Sequence, residues 1–304
     1  MSLQHGTGFR LDLAEPLHQL ILAARALSGL EPAVVPRIVP LQAVNSDLIP
    51  SYGGIHDQNG DESCVPWEMI EMLGSSLAGQ GYQGDKCFSA ACAYWGGRAV
   101  LRKLLGMPLD STLYDVGTAP QLVAVAFQDN GVCLESAWPY VAGQQTGTEE
   151  STHAAGDAAT RKPIVLNAFQ PLIMNGDVVQ AIQAALLVRG GRVGLSIYAS
   201  DAFKVADGSQ VLTAQPSPGK VNHYVGIADY YTVISVNGAQ GKLSNGMTVG
   251  FQAAPSVGDI VGTLVNHYGV DWGALCPIMP GTVLVDASFL RQAQFLYTCK
   301  AKMP

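Results

Sequence analysis

The 304-residue chain is poor in charge: Asp, Glu, Lys and Arg make up 13% of it, against about 25% in soluble proteins generally. Its 17 basic residues are outnumbered by 24 acidic ones, and no Lys/Arg cluster offsets the net charge of −7. Nucleic-acid binding needs such a cluster to track phosphates, so nucleic acid is not an expected partner. Long apolar runs are missing as well. No stretch reaches the roughly 18 residues that a bilayer-crossing helix requires. The N-terminal MSLQHGTGFRLDLAEP lacks the basic-then-apolar layout of a signal peptide. The expected setting is therefore cytoplasmic, virion-associated or non-classically exported. The six cysteines, at 64, 87, 92, 133, 276 and 299, include no CxxC pair. Reduced thiols are the expectation, and scattered Cys and His predict no metal and no cofactor.

Several catalytic strings are absent too. There is no GxSxG and no HExxH, and Gly241-Lys242 is followed by Leu243, which breaks a phosphate-binding loop. Gly79-Gln80-Gly81-Tyr82-Gln83-Gly84 matches GxGxxG in letters only, because a helical pattern precedes it where a dinucleotide site needs a strand. Ser217-Pro218-Gly219-Lys220 fits SxxK, but a Pro-Gly turn cannot hold Ser and Lys on one helical face.

What is present is a large core supply, 48% hydrophobic residues, with helical periodicity early and strand patterns late. Leu17, Leu20, Ile21, Ala24 and Leu27 sit at helical spacing over 17–27, with Gly29 as a stop. Prolines at 32, 36, 40 and 50 then predict an extended connector. A helix should begin at Ser63–Cys64, with Ser63 as N-cap, Pro66 in the first turn, and Trp67, Ile70, Leu73 and Leu77 on one face. Further helices are expected over 88–105 and 118–130. Residues 141–163, rich in Gly, Ser, Thr and Ala, read as a flexible surface loop. Beyond it, Asp177 should cap a helix, RVGLSIY should form a strand, and 221–236, 261–265 and 282–286 should follow as strands. Helices first and strands later predict an α+β fold whose two lobes meet at a cleft. The expected division is an N-terminal helix and arm over 1–46, a helical lobe over 47–140, the loop 141–163, and a β-rich lobe over 164–304.

Candidate chemistry starts at Cys64. A thiol in the first turn of a helix faces unpaired N–H groups that favour thiolate, and the same groups point at an oxyanion formed beside the sulfur. Gln58, six residues upstream, is placed to add a side-chain donor across the loop. The same Cys64 would serve equally as a small buried hydrophobe. A nucleophile needs a base, and the chain offers histidines at 5, 18, 56, 153, 223 and 267. His56 is near Cys64 in sequence but sits on a loop. His223 opens the apolar run Val221-Asn222-His223-Tyr224-Val225-Gly226, and a strand end holds a base firmly at a cleft mouth. A core histidine bonded to backbone would look the same. Asn266, in Val265-Asn266-His267-Tyr268-Gly269-Val270-Asp271-Trp272-Gly273, can orient an imidazole or make a turn.

These segments, in this order, resemble the papain-like cysteine peptidases, with similarity to the family's bacterial and viral branch. The blocks are D-Q-N-G-D-E-S-C, N-H-Y-V-G-I-A-D-Y, N-H-Y-G-V-D-W-G and NGVCLESAWPY, and the likeness covers roughly residues 47–297. The resemblance implies a two-lobed fold, a helical lobe plus an antiparallel β lobe, with the active-site cleft between them. It implies Cys64 as nucleophile, His223 as base, Asn266 as the residue orienting it, and Gln58 with the Cys64 N–H as oxyanion hole. The implied reaction is peptide or amide hydrolysis through a thioester acyl-enzyme, and transfer to an amine would use the same residues. The sequence departs from the pattern at Val65, usually aromatic, and at His267 and Tyr268, where the family has Ser and Trp. Asp61 and Glu62 add negative charge beside the thiol, expected to raise its pKa. A C-x-G-G substrate-binding stretch has no clear counterpart. Residues 1–46 are short for an inhibitory propeptide and read as a docking arm or short pro-segment. A second reading keeps the fold and makes the chain a component of a larger assembly, docked through 1–46, with a silent or single-use site.

Overall fold

The buried Cys64–Gly79 helix (α1) organises the molecule: every residue from Cys64 to Leu77 is buried. A helix buried on all sides has to be enclosed by other elements, and its few polar groups need partners there. On one side of α1 lie α2 (Ala90–Leu104), α3 (Pro120–Asn130) and α4 (Thr152–Val165); on the other stands a sheet. These elements come from a computed structural model that describes residues 9–17, 19, 40–107, 117–143, 152–172, 177–215 and 218–303. Most of the helix expected over 17–27, the prolines at 32 and 36, and Ser217 lie outside the described residues.

The helix starts follow local chemistry. Ser89 caps α2, its hydroxyl accepting from the Cys92 amide at 3.0 Å, and Pro120 opens α3 where its missing N–H costs nothing. Asp177 caps α5 (Val178–Leu186) by accepting from the Val179 amide at 3.0 Å. Ser63 stands at the N-cap position of α1 but makes no side-chain bond to the helix. Its hydroxyl pairs with the Tyr140 hydroxyl at 2.9 Å instead.

Three expectations need correction. Residues 152–165, expected to be part of a loop, form α4. Its first turns bury Ala154 and Ala158, four apart and packed on Cys92 and Cys133, and only its last turn buries larger residues, Ile164 and Val165, so most of the helix carries almost no hydrophobic period. Asp157 on α4 also accepts from the Leu134 amide at 2.9 Å. The stretch around Pro50 is a 3-10 helix, Ser46–Tyr52, not extended connector. The boundary at residue 46 falls inside the β lobe, because β1 (Gln42–Ala43) pairs with a central strand.

That central strand, β5 (His223–Asn237), pairs antiparallel with β3 (Val193–Ile197), β8 (Ile260–Val265) and β1. From one edge the order runs β2 (Phe169–Pro171), β10 (Gln294–Cys299), β3, β5, β6 (Gln240–Leu243), β7 (Thr248–Phe251), β4 (Gln210–Val211). β9 (Thr282–Asp286) joins β8. Pairing is antiparallel except between β4 and β7, which run parallel. β6 and β7 form an antiparallel hairpin between β5 and β8 in the chain. The GxGxxG letters fall at the end of α1 and the turn after it. There Gly79 lets α1 approach the Arg189–Gly190 turn so closely that an added Cβ would lie 2.3 Å from the Arg189 carbonyl.

The lead-in to the fold is pinned by Asn45. Its side-chain amide donates to the carbonyls of Leu186, Gly191 and Ala228 at 3.0–3.2 Å, and its oxygen accepts from the Gly190 amide at 3.0 Å. Asp229 on β5 accepts from the amides of Asn45 and Ser46 at 2.7 and 2.8 Å. Removing either side chain strands several buried polar groups, each costing about 1–3 kcal/mol. Asn45→Ala and Asp229→Ala are each expected to lower unfolding free energy by about 2–4 kcal/mol, read as a shifted urea midpoint at unchanged slope.

Candidate active site

Cys64 is the first residue of α1 and has no solvent exposure. Its sulfur lies within hydrogen-bonding reach of the backbone N–H groups of Tyr224 and Val65. Because Ser63 turns to Tyr140, its side chain does not compete for the helix N–H groups. These amides favour thiolate, as the helix-start position predicts, but burial is the larger effect and pushes the thiol up to about 12, with Glu62 adding to the rise. Asp61 is held elsewhere: its carboxylate accepts from the Tyr140 hydroxyl at 2.7 Å and the Gly143 amide at 3.1 Å.

His223 begins β5, so the Tyr224 amide that reaches Cys64 belongs to the next residue. The imidazole Nε2 lies 2.7 Å from Asn266 Oδ1, and both residues are fully buried. Asn266 follows directly on β8, whose Val265 is registered against Gly226 of β5, and this pairing brings the two side chains together. The Asn266 atom facing the ring is an oxygen, because the backbone N–H of His267 also donates to it at 2.8 Å. An amide oxygen only accepts. Nε2 therefore carries the proton, and Nδ1 is the basic nitrogen. Tyr268 stacks on the imidazole at 4.9 Å and 21°, and Phe203 meets it edge-on at 6.3 Å. Tyr268 thus covers the ring from the position where the sequence comparison has Trp.

Gln58 is also fully buried. Its backbone N–H donates to the His267 carbonyl at 2.9 Å, and its side-chain amide donates to the Asp61 carbonyl at 2.8 Å. The Tyr140 hydroxyl lies 3.1 Å from the Gln58 carbonyl. The segment carrying Gln58 is thereby tied to the segment carrying Asn266, and an isolated bridge between Asp57 and Tyr268 extends the pairing.

Beneath these residues lies an ionic cluster that sequence reasoning missed. Arg192, just before β3, donates from Nε and Nη2 to Glu68 at 2.9 and 2.6 Å, and Nη2 lies 2.7 Å from Glu71. Its other terminal nitrogen reaches the Tyr52 hydroxyl at 3.1 Å. His267 stands between the two glutamates, Nε2 at 3.5 Å from Glu68 and Nδ1 at 3.3 Å from Glu71. Two glutamates inside an otherwise apolar helix were the available signal: charges there need partners. His56 is drawn into the same cluster, Nδ1 at 3.0 Å from Glu71 and its ring stacked on Trp67. That removes it as the base for Cys64. Glu68, Glu71 and His267 are residue types that ligate cations, with ligand atoms within 4.8 Å of one another, but the Arg192 guanidinium already hydrogen-bonds Glu68 and ion-pairs with Glu71.

The segment 9–17 packs beside the site. Phe9 pairs with Thr118 in a parallel bridge, and the Arg10 amide donates to the Thr118 carbonyl at 3.1 Å. The Phe9 ring stacks on Tyr224 at 6.0 Å and 6°, and meets Phe295 tilted by 37° at 5.8 Å. Residues 11–17 continue as a helical turn whose Ala14 is fully buried, its carbonyl accepting from Gln121.

A buried central helix that begins at Cys64, with helices on one side and on the other a sheet whose strand ends hold the His223–Asn266 pair, gives a papain-like α+β fold. Solved structures agree. Xylellain, a cysteine protease from Xylella fastidiosa, superposes with a TM-score of 0.64 at 15% identity, over 99% of this chain and 97% of its own. The bromelain protease from Ananas comosus, in complex with the E64 inhibitor, gives 0.57 at 14% identity over 88% of this chain and all of its own. Digestive procathepsin L 3 from Tenebrio molitor larval midgut gives 0.57 at 15%, over 88% and 73%. At these identities the likeness is one of fold. Neither the protein-family models nor the curated proteins match the sequence. Among the described residues no helix is long and apolar enough to cross a membrane.

Gly226 leaves the room in which the cluster sits: a Cβ there would lie 2.4 Å from Arg192 Nε and 2.4–2.5 Å from both Glu68 carboxylate oxygens. Gly226→Ala is expected to cost about 3 kcal/mol or more by breaking a buried ion pair, measured by equilibrium unfolding.

Proposed function

We propose that the chain hydrolyses peptide or amide bonds through a thioester formed on Cys64. The observation that carries this reading is the His223 Nε2–Asn266 Oδ1 bond of 2.7 Å, its polarity fixed by the His267 N–H, at the strand end that abuts Cys64. Nδ1 of His223 takes the thiol proton as sulfur attacks the carbonyl carbon. The negative oxygen that develops faces the Cys64 backbone N–H and the Gln58 amide, which Asp61 holds in orientation. Collapse breaks the C–N bond, and the imidazolium returns its proton to the leaving amine. Water activated by the same nitrogen then cleaves the thioester. Asn266 keeps the ring in the required tautomer throughout. The E64 inhibitor complex of the bromelain neighbour supports a peptide-like substrate.

Within this reading, residues 9–17 act as a pro-segment seated like a bound peptide. A backbone pairing to Thr118 with an aromatic side chain lodged between Tyr224 and Phe295 is how an extended chain is gripped: main-chain bonds supply affinity and a side-chain pocket supplies selectivity. The segment helps keep the thiol dry and protonated. Its displacement admits water, lowers the cost of charging the sulfur, and lets the α1 N–H groups act.

The test is alkylation of the folded chain by iodoacetamide across pH 4–9, with each cysteine followed by mass spectrometry. Phe9→Ala removes a buried ring whose loss costs about 3 kcal/mol or more, so Cys64 should react at least ~10-fold faster than in the intact chain. His223→Ala in that background should slow it again, and Cys64→Ala or His223→Ala should abolish turnover of a peptide cut by the Phe9→Ala protein. Retained turnover in either variant, or Cys64 lagging Cys276 and Cys299 after Phe9→Ala, overturns the proposal.

A further inference from the structure

We infer that His267 is a positioning residue for this site: as an imidazolium wedged between Glu68 and Glu71, it locks the segment bearing Asn266 and Gln58 to the helix bearing Cys64. The inference rests on the hydrolase reading above.

Three elements converge on this one residue. Its backbone N–H donates to Asn266 Oδ1 at 2.8 Å, the atom that orients His223, and its carbonyl accepts the Gln58 N–H at 2.9 Å. Its ring lies between two carboxylates of α1, one and two turns below Cys64. A shift of His267 would therefore move the orienting amide and the oxyanion donor together, relative to a sulfur fixed on α1. Displacements of about 1 Å at such a site cost on the order of 100-fold in rate.

The charge on the ring follows from its surroundings. Glu68 and Glu71 approach opposite nitrogens at 3.5 and 3.3 Å, ion-pair separations. Neither nitrogen is aligned for a hydrogen bond, so the contact is one of charge: a neutral imidazole would offer neither carboxylate a compensating charge, whereas an imidazolium attracts each. Counting the buried charges points the same way, since two glutamates face a single Arg192 guanidinium. The other groups around the ring are His56, shared with Glu71, the Tyr52 hydroxyl on Arg192, and Trp67, stacked at 6.1 Å. Tyr224 of β5 lies near Glu68, and Gly226 clears the space for the pair. Burial opposes the imidazolium, but the two glutamates outweigh it, so His267 titrates above its ordinary 6.5. A histidine raised in the folded state contributes stability fully below its unfolded pKa, and this is lost as pH rises through the folded value.

The experiment uses the full chain with the Phe9→Ala substitution. Imidazole NMR should find both His267 nitrogens protonated at pH 7, with titration above 6.5. His267→Gln should slow iodoacetamide attack on Cys64 and, if a peptide is cleaved, lower kcat ~10- to 100-fold with little change in KM. The alkaline limb that follows the His267 titration should disappear. The paired Glu71→Gln/His267→Gln variant removes one charge of each sign, and it should recover most of the alkylation rate while still lacking that limb. A ring that is neutral at pH 7 in the otherwise intact protein overturns the inference, even if every His267 variant fails to fold. So does a His267→Gln protein whose Cys64 alkylation and pH profile match the parent's. If no peptide is cleaved but the ring is an imidazolium and His267→Gln slows alkylation, the hydrolase reading fails alone and the positioning role is supported.

Discussion

The structure depends on one buried ionic contact, the Arg192 guanidinium against Glu68 and Glu71. Burying such charges costs several kcal/mol per ion unless each finds its partner. Here the partners come from opposite lobes, the glutamates from the central helix and the arginine from the head of a sheet strand. Leaving one lobe misplaced would therefore strand a charge in a dry interior. Apolar contacts tolerate sliding of a helix on a sheet, but a guanidinium fork between two carboxylates does not. The contact thus sets the register between the lobes, and the residues around Cys64 and His223 inherit it.

The same economy of position appears at the His–Asn pair. Asn266 is placed by the end of β8, His223 by the start of β5, and the two strands are neighbours in the sheet. No loop has to be ordered to bring base and orienting group together. The nucleophile arrives from the other lobe, yet its sulfur meets the amide of the residue next to the base. Each part stands at the terminus of a regular element, where side-chain direction is fixed by backbone geometry and not by the settling of a long connection.

Much of this was legible in the sequence. The start of α1 at Cys64, the Asp177 cap, and the strands beginning near 193 and 223 followed from local pattern, because capping and period are short-range properties. Placing Cys64, His223, Asn266 and Gln58 relied on the order of weak motifs along the chain. What stayed hidden was long-range. Arg192 and Glu68 are 124 residues apart, and no periodicity connects them. Helix α4 was missed because the buried residues of its first turns, Ala154 and Ala158, are alanines. The state of the thiol was left open for a related reason: the helix start favours a thiolate and burial opposes it, and the Phe9, Tyr224 and Phe295 rings beside the site come from three distant stretches. His56, nearest to Cys64 in sequence, was drawn away by a carboxylate that only the fold brings near.

The seating of Phe9 between Tyr224 and Phe295 has a consequence that concerns concentration. Phe9 is covalently part of the molecule, so it returns to its place at an effective concentration set within the molecule itself. Dilution cannot release it. A free peptide would have to compete against that local concentration, whereas a single cut in the connecting chain would convert the same contacts into an ordinary, dilutable equilibrium. Whether Phe9 stays against Tyr224 and Phe295 is thus set by chain connectivity and not by the abundance of the protein.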